Sequence, residues 1–311
     1  MPATKAASNK ERFRRPLLFY RSAREGFEDL LRHRLNEGAG GVLLPAFIGW
    51  SPREGSGVFD PVRNVRTRYG FYDLNGDLTV NLAALEAALA EGAHDTLVLI
   101  HYFGRTEPQL KEVQILADRY EVLLVEDLAH GFFSAFMGET AGHSGSVSLY
   151  SLHKMFPLAD GGMMAYRNSA LITGQKETAP ELAKAVLDYD WQAISIHRRA
   201  IFSDLAVRLA ALPENGSNFS MLWPQLDRGD TPQTLPVRLL TADRDQVYRR
   251  MNADGYGMTS LYHTMIPELG GDHPEMNALS RSIINFPVHQ DVAAASVDGM
   301  VQAFRQALTA R

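Results

Sequence analysis

No cysteine occurs among the 311 residues, which excludes disulfides, thiolate nucleophiles and cysteine-ligated metals. Positive charge is not in surplus either: Lys+Arg number 31 against 36 Asp+Glu, a formal net charge of -5. Neither nucleic acid nor a membrane surface is therefore expected as a partner. No apolar run is long enough to span a bilayer, and Met1 to Arg15 lacks the apolar stretch of a secretory signal. A cytoplasmic protein is the expectation. No repeat with a period of about 20–50 residues is present, which removes a solenoid. Gly40-Gly41 and Gly55-Ser-Gly57 do not build a dinucleotide fingerprint. His101, His263, His273 and His289 fall in no metal-ligand spacing, so no metal site is expected.

What is present suits a globular protein with a substantial core, a large domain with a smaller companion. Residues 1–15 (MPATKAASNKERFRR) read as a flexible basic arm. Ser22 is a candidate N-cap for a helix carrying Phe27, Leu30, Leu31 and Leu35. Strands are expected at Gly40 to Pro45, Thr96 to Gly104, Val122 to Val125, Ser146 to Ser151 and Gly162 to Tyr166. Helices are expected after Asn81 and after Pro108. The segment 51–70 reads as irregular. Strand and helix alternating in this way argue for a mostly parallel sheet between helices.

Thr178 to about Leu212 reads as one long helix, and the Pro-, Gly-, Asn- and Asp-rich stretch 213–233 as a linker. Beyond it, strands at Leu235–Leu240, Gly257–Tyr262 and Ser282–Phe286, with helices at Asp243–Asn252 and Ala293–Leu308, compose a small α+β domain. The expected organisation is a large α/β domain over 16–212 and a small C-terminal one over 234–311.

Two apolar runs end in residues capable of acid, base or amine chemistry: Val122-Leu-Leu-Val-Glu126-Asp127-Leu-Ala-His130, and Val147 to Lys154. In a parallel sheet such strand ends open on the crevice where ligands bind. Taken singly, each residue has an ordinary reading: Lys154 a surface lysine, Asp127 a cap, His130 a core or surface histidine. Together, a carboxylate at one strand end and a lysine at the next supply what pyridoxal 5'-phosphate (PLP) requires: an amine for its aldehyde and an anion for its pyridinium nitrogen.

Glu126-Asp127-Leu-Ala129-His130, Gly145-Ser-Val-Ser148-Leu-Tyr-Ser151-Leu-His153-Lys154 and Gly161-Gly162 together resemble the DegT/DnrJ/EryC1/StrS sugar aminotransferases, PLP-dependent enzymes of fold type I. Tyr72 to Glu86, His101-Tyr-Phe-Gly104 and Ile283-Ile-Asn-Phe-Pro287-Val-His289 extend the likeness over roughly residues 20–170 and 235–308. The resemblance implies that Lys154 carries the cofactor and shuttles the proton, that Asp127 keeps the pyridine nitrogen protonated, and that His130 sits near the ring hydroxyl. It implies a phosphate cradle at Ser22-Ala23-Arg24, where a helix start favours anions. Phe47 or Trp50 would stack on the ring, and Ser148, Ser151 and His153 would complete the cofactor set.

Two departures mark this chain. Ser151-Leu-His153-Lys154 is contiguous where the family spaces its lysine further on, and Ala23-Arg24 replace the usual Gly-Thr. Arg63, Arg66 and Arg68 form a basic loop, exposed or meeting an anionic part of a substrate, and Tyr262-His263 reads as a segment that reaches the site or as core. The implied activity is transfer of an amino group from an amino acid such as glutamate to a keto acceptor, such as a nucleotide-linked keto-sugar, by a homodimer. The competing readings are a related scaffold that binds a ligand without catalysis, and a cofactor-free hydrolase using Asp127.

Overall fold

The computed structural model describes residues 13–172 and 174–309. In chain order the elements are β1 (Leu17–Tyr20), α1 (Ala23–Asn36), β2 (Val42–Pro45), α2 (Phe59–Val65), β3 (Tyr69–Tyr72), α3 (Leu82–Ala90), β4 (Thr96–Ile100), α4 (Leu110–Arg119), β5 (Leu123–Asp127) and α5 (Phe132–Phe136). There follow β6 (Val147–Ser151), β7 (Gly162–Tyr166), α6 (Leu182–Leu187), α7 (Trp191–Ala210), β8 (Phe219–Met221), β9 (Thr234–Leu239), α8 (Arg244–Ala253), α9 (Pro274–Ser282), β10 (Ile283–Pro287) and α10 (Val297–Thr309). Local chemistry starts several helices. Ser22, Asn81, Asp190 and Asp243 each accept a hydrogen bond from a backbone N–H three residues on, capping α1, α3, α7 and α8.

The large sheet has the order β1-β7-β6-β5-β4-β2-β3. Strands β3, β2, β4, β5 and β6 run parallel, whereas β7 is antiparallel to β6 and β1 antiparallel to β7. That reversal brings the end of β1 and the start of β7 to the same edge as the carboxyl ends of the parallel strands. The start of α1, Gly161-Gly162, Asp127 and the residues after β6 therefore share one edge. A second sheet, β10-β9-β8, is antiparallel throughout.

Helix α7 joins two apolar clusters. Its Trp191 packs with Phe132, Phe133, Tyr150 and Phe156, whereas Ile201 to Leu209 pack with Leu235, Val237, Ile284, Phe286 and Phe304 around the small sheet.

Several expectations are corrected. The segment 51–70 contains α2 and the start of the edge strand β3. The single helix over 178–212 is two, α6 and α7, broken at Tyr189-Asp190 where Asp190 caps the second. Gly257–Tyr262 makes one bridge, Thr259 to Asn285, and no strand. Strand β8 lies inside 213–233, and Asp230 and Thr231 are buried there against the large sheet's loops.

Of the basic arm, residues 1–12 lie outside the described residues. Phe13 packs edge-on against Phe19 and Phe136. Arg15 donates to the carbonyls of Gly142, Gly145, Ser146 and Tyr166 and to Ser148 Oγ.

Phe132 is fully buried and touches Phe133, Phe136, Tyr150, Phe156 and Trp191 at ring separations of 4.6–5.9 Å. Phe132→Ala should cost about 3–5 kcal/mol of stability, read as a lower urea midpoint with the slope unchanged.

Candidate functional site

Alternation along β5 sets the site. Asp127 pairs with Ile100 and Leu149, and Glu126 with Leu99 and Ser148, so the two adjacent carboxylates face opposite sides of the sheet. Glu126 is fully buried on one side. It accepts from Gly142 N–H (2.8 Å) and Gly145 N–H (2.5 Å) and pairs with His101 Nε2 at 2.9 Å. The Glu107 N–H donates to His101 Nδ1, which leaves Nε2 as the nitrogen that donates to Glu126. Burial works to push Glu126 up, but the His101 hydrogen bond, with the two N–H donors, holds it below its usual value.

Asp127 faces the other side and is likewise buried. Its Oδ1 accepts from Ala129 N–H at 2.8 Å. Burial raises its pKa, opposed by that hydrogen bond and by the charge of Lys154. Lys154 ends a single 3-10 turn, Leu152–Lys154, directly after β6. Its Nζ lies 3.3 Å from His130 Nε2. Burial lowers the Lys154 pKa, and Arg24 adds to this while Asp127 and Glu54 oppose it. A lysine held in this way has a larger share of free amine at neutral pH.

His130 follows β5 and is 4% exposed. Its ring stacks on Phe103, and burial first, then the Lys154 charge, drive its pKa well below normal. Its buried Nδ1 finds no hydrogen-bond partner among the described residues. Such an orphan costs about 1–3 kcal/mol in a closed protein and suits a site that receives a polar ligand atom.

The cradle lies on the same edge. Ser22 bridges Gly161, and a Cβ at Gly162 would sit 2.2 Å from Ala23 N. Only glycine lets β7 approach the start of α1 so closely. Arg24 NH1 lies 3.6 Å from Asp60, and its NH2 bonds to the Glu54 carbonyl. A lysine, a carboxylate and a helix start on one edge, with the lysine against a buried histidine whose other nitrogen finds no partner among the described residues, fit PLP.

Phe47 is buried and stacked on Tyr262 at 4.9 Å and 25°. Tyr262 in turn touches Phe103 and His130. Both Phe103 (φ 54) and Tyr262 (φ 57) hold left-handed backbone, a strained state for aromatic residues and one that collects at functional sites. Trp50 is half-buried three residues beyond Phe47, with its N–H bonded to the Thr264 carbonyl.

The structure separates the two candidate serines. Ser151 lies on the Asp127 side, 3.3 Å from His153 Nδ1. Ser148 pairs with Glu126, donates to the Gly142 carbonyl and accepts from Arg15. Its expected cofactor contact is therefore corrected: it belongs to the opposite side of the sheet. His153 is exposed and lies 3.7 Å from Asp160. Of the basic loop, Arg63 bonds to Glu268 and Arg68 to the Gly40 carbonyl.

Sequence reasoning missed Glu54 as a charged neighbour of Lys154 and left Tyr262 open between site and core. Neither carries a local signal, because both arrive from loops distant in the chain.

Residues 57–178 match the sequence model of the DegT/DnrJ/EryC1/StrS aminotransferase family. Over that segment the chain is similar to these aminotransferases. A UDP-4-amino-4,6-dideoxy-N-acetyl-beta-L-altrosamine transaminase from Campylobacter jejuni subsp. jejuni serotype O:23/36 (strain 81-176) is 27% identical over 106 residues. The aligned stretch spans 33% of this chain and 28% of that enzyme. Among solved structures, a putative sugar aminotransferase from Streptococcus pneumoniae in its PLP form superposes with a TM-score of 0.76 at 15% identity, covering 96% of this chain and 88% of that one. The Helicobacter pylori aminotransferase of pseudoaminic acid biosynthesis gives 0.75 at 14%, covering 96% and 88%. The fold is shared with these two aminotransferases of known structure, the first of them solved in its PLP form.

The buried His130 gives a pH test. Because its folded pKa is depressed, the unfolded chain takes up a proton below about pH 6.5 while the folded chain does not, so stability falls as pH falls from there. The slope is about 1.4 kcal/mol per pH unit for this one group. His130→Gln should make the decline in urea stability between pH 6.5 and 5 shallower by about that amount; an unchanged slope would mean the histidine is not held neutral.

Proposed function

We propose that the protein is a PLP-dependent aminotransferase that moves an amino group from an amino acid, glutamate first, to a keto acceptor of the nucleotide-linked keto-sugar class. The observation that carries this reading is Lys154 Nζ against His130, on the same sheet edge as Asp127. The acceptor class rests on the sugar substrates named for the relatives. A homodimer and a cytoplasmic location belong to the same proposal and rest on the family likeness. Among the described residues no helix is long and apolar enough to cross a membrane.

When bound, the cofactor supplies an aldehyde that captures the amino group and a ring that accepts the electron pair left at the substrate carbon. The chain's own residues do the rest. Lys154 presents an amine whose proton burial has loosened, and its Nζ would be the base that takes the proton from the amino-bearing carbon and the acid that gives it back on the far side of the nitrogen. Asp127 accepts from the pyridine N–H, and holding that proton keeps the ring an electron acceptor. His130 offers a neutral imidazole for the ring hydroxyl. Ser22 and the backbone N–H groups that begin α1 hold the phosphate, with Arg24 able to add its charge. Phe47, Tyr102 and Tyr262 close the apolar wall and exclude water.

Borohydride added to the PLP-loaded protein should fix the cofactor onto the peptide containing Lys154, read by mass spectrometry. Lys154→Ala should lose the label and slow amino transfer by at least about 100-fold, the range of a removed acid–base group. A label on another lysine would overturn the assignment.

A further inference from the structure

Arg198, on α7, is 1% exposed, among the most buried side chains in the protein. Among the described residues, all the hydrogen-bond acceptors its guanidinium finds are neutral. NH2 donates to Gln290 Oε1 (2.8 Å) and the Met155 carbonyl (3.4 Å), NH1 to the Pro232 carbonyl (3.4 Å), and Nε to Gln290 Oε1 (3.3 Å). The guanidinium also lies 5.5 Å from the centre of the Phe133 ring. The charged neighbour that favours its cationic form is Asp291, whose side chain is 79% exposed and pairs with His289. Burial lowers the Arg198 pKa to about 10.

A buried cation without a bonded anion is a poor way to gain stability, and an apolar side chain of similar length serves a core as well or better. The position of the contacts accounts for it instead. Met155 immediately follows Lys154, and Phe133 lies three residues beyond His130, so one guanidinium touches the bases of both segments whose tips meet at 3.3 Å. Pro232 and Gln290 belong to the stretches leading into β9 and out of β10. The lysine's own support is a single 3-10 turn, which cannot fix a long side chain unaided.

We propose that Arg198 is a positioning residue for Lys154, holding the Met155 carbonyl against the strands of the small sheet so that Nζ is presented for covalent attachment. The inference rests on the aminotransferase reading.

The test compares two ligands of nearly identical shape, PLP and pyridoxamine 5'-phosphate, of which only the first has the aldehyde that bonds to a lysine. The full-length chain, freed of cofactor, is titrated with each and followed by absorbance and fluorescence. In Arg198→Met, affinity for PLP should fall about tenfold while that for pyridoxamine 5'-phosphate stays within about twofold, and borohydride labelling of Lys154 should slow in step. Arg198→Lys, which keeps one donor of the clamp, should recover part of the loss. Gln290→Leu removes the shortest bond while keeping the cation, and should move the ratio the same way if Arg198→Met does not fold. A loss equal for both ligands, or no loss for either, overturns the positioning role and leaves the aminotransferase reading standing. Failure of the unaltered protein to be labelled at Lys154 removes both.

Discussion

The two neighbouring carboxylates of β5 impose the constraint on which the site depends. Glu126 and Asp127 are both buried, and two buried carboxylates facing each other on one side of a strand could not both stay ionised. Strand alternation sends one to each side. Glu126 is satisfied by His101 and by two N–H groups of the 142–145 loop, and that loop's carbonyls are in turn held by Arg15. With Glu126 fixed in this network, Asp127 is free to face Lys154. The rear side is a bonded charge network, whereas the front keeps Lys154 against His130, whose Nδ1 finds no partner among the described residues.

Much of this was legible in the sequence. Asp127, His130 and Lys154 sit at strand ends marked by apolar runs, and strand ends in a parallel sheet point to one edge. Ser22 and Asn81 announced their helices by cap chemistry. What failed did so for physical reasons. Ser148 looked equivalent to Ser151 by composition, but it is three residues earlier, and in a strand an odd offset changes the side. Gly257–Tyr262 has strand-like residues, yet Tyr262 in left-handed backbone turns the chain toward Phe47, so pairing stops at Thr259. The 213–233 stretch reads as a linker because Pro and Gly mark irregular backbone. Irregular backbone is also what a buried segment uses when its groups bond to side chains such as Thr106 and Ser134.

Helix α7 changes the picture of two separate units. Trp191 belongs to the aromatic cluster under α5, and Leu205 and Leu209 to the core of the small sheet. One helix thus forms part of both cores, with Arg198 at the crossover. A break between the units placed at 213 would leave that shared helix entirely on one side.

The meeting of Ser22 with Gly161 and Gly162 carries a consequence for the order of assembly. The helix start reaches the lysine only after β1 has zipped onto β7, a partner nearly half the chain away. Contacts of such long range form late, since closing the loop costs entropy before any contact repays it. A ligand held by both the helix start and the lysine would therefore bind only chains whose first strand has docked, and by mass action would draw the population toward them.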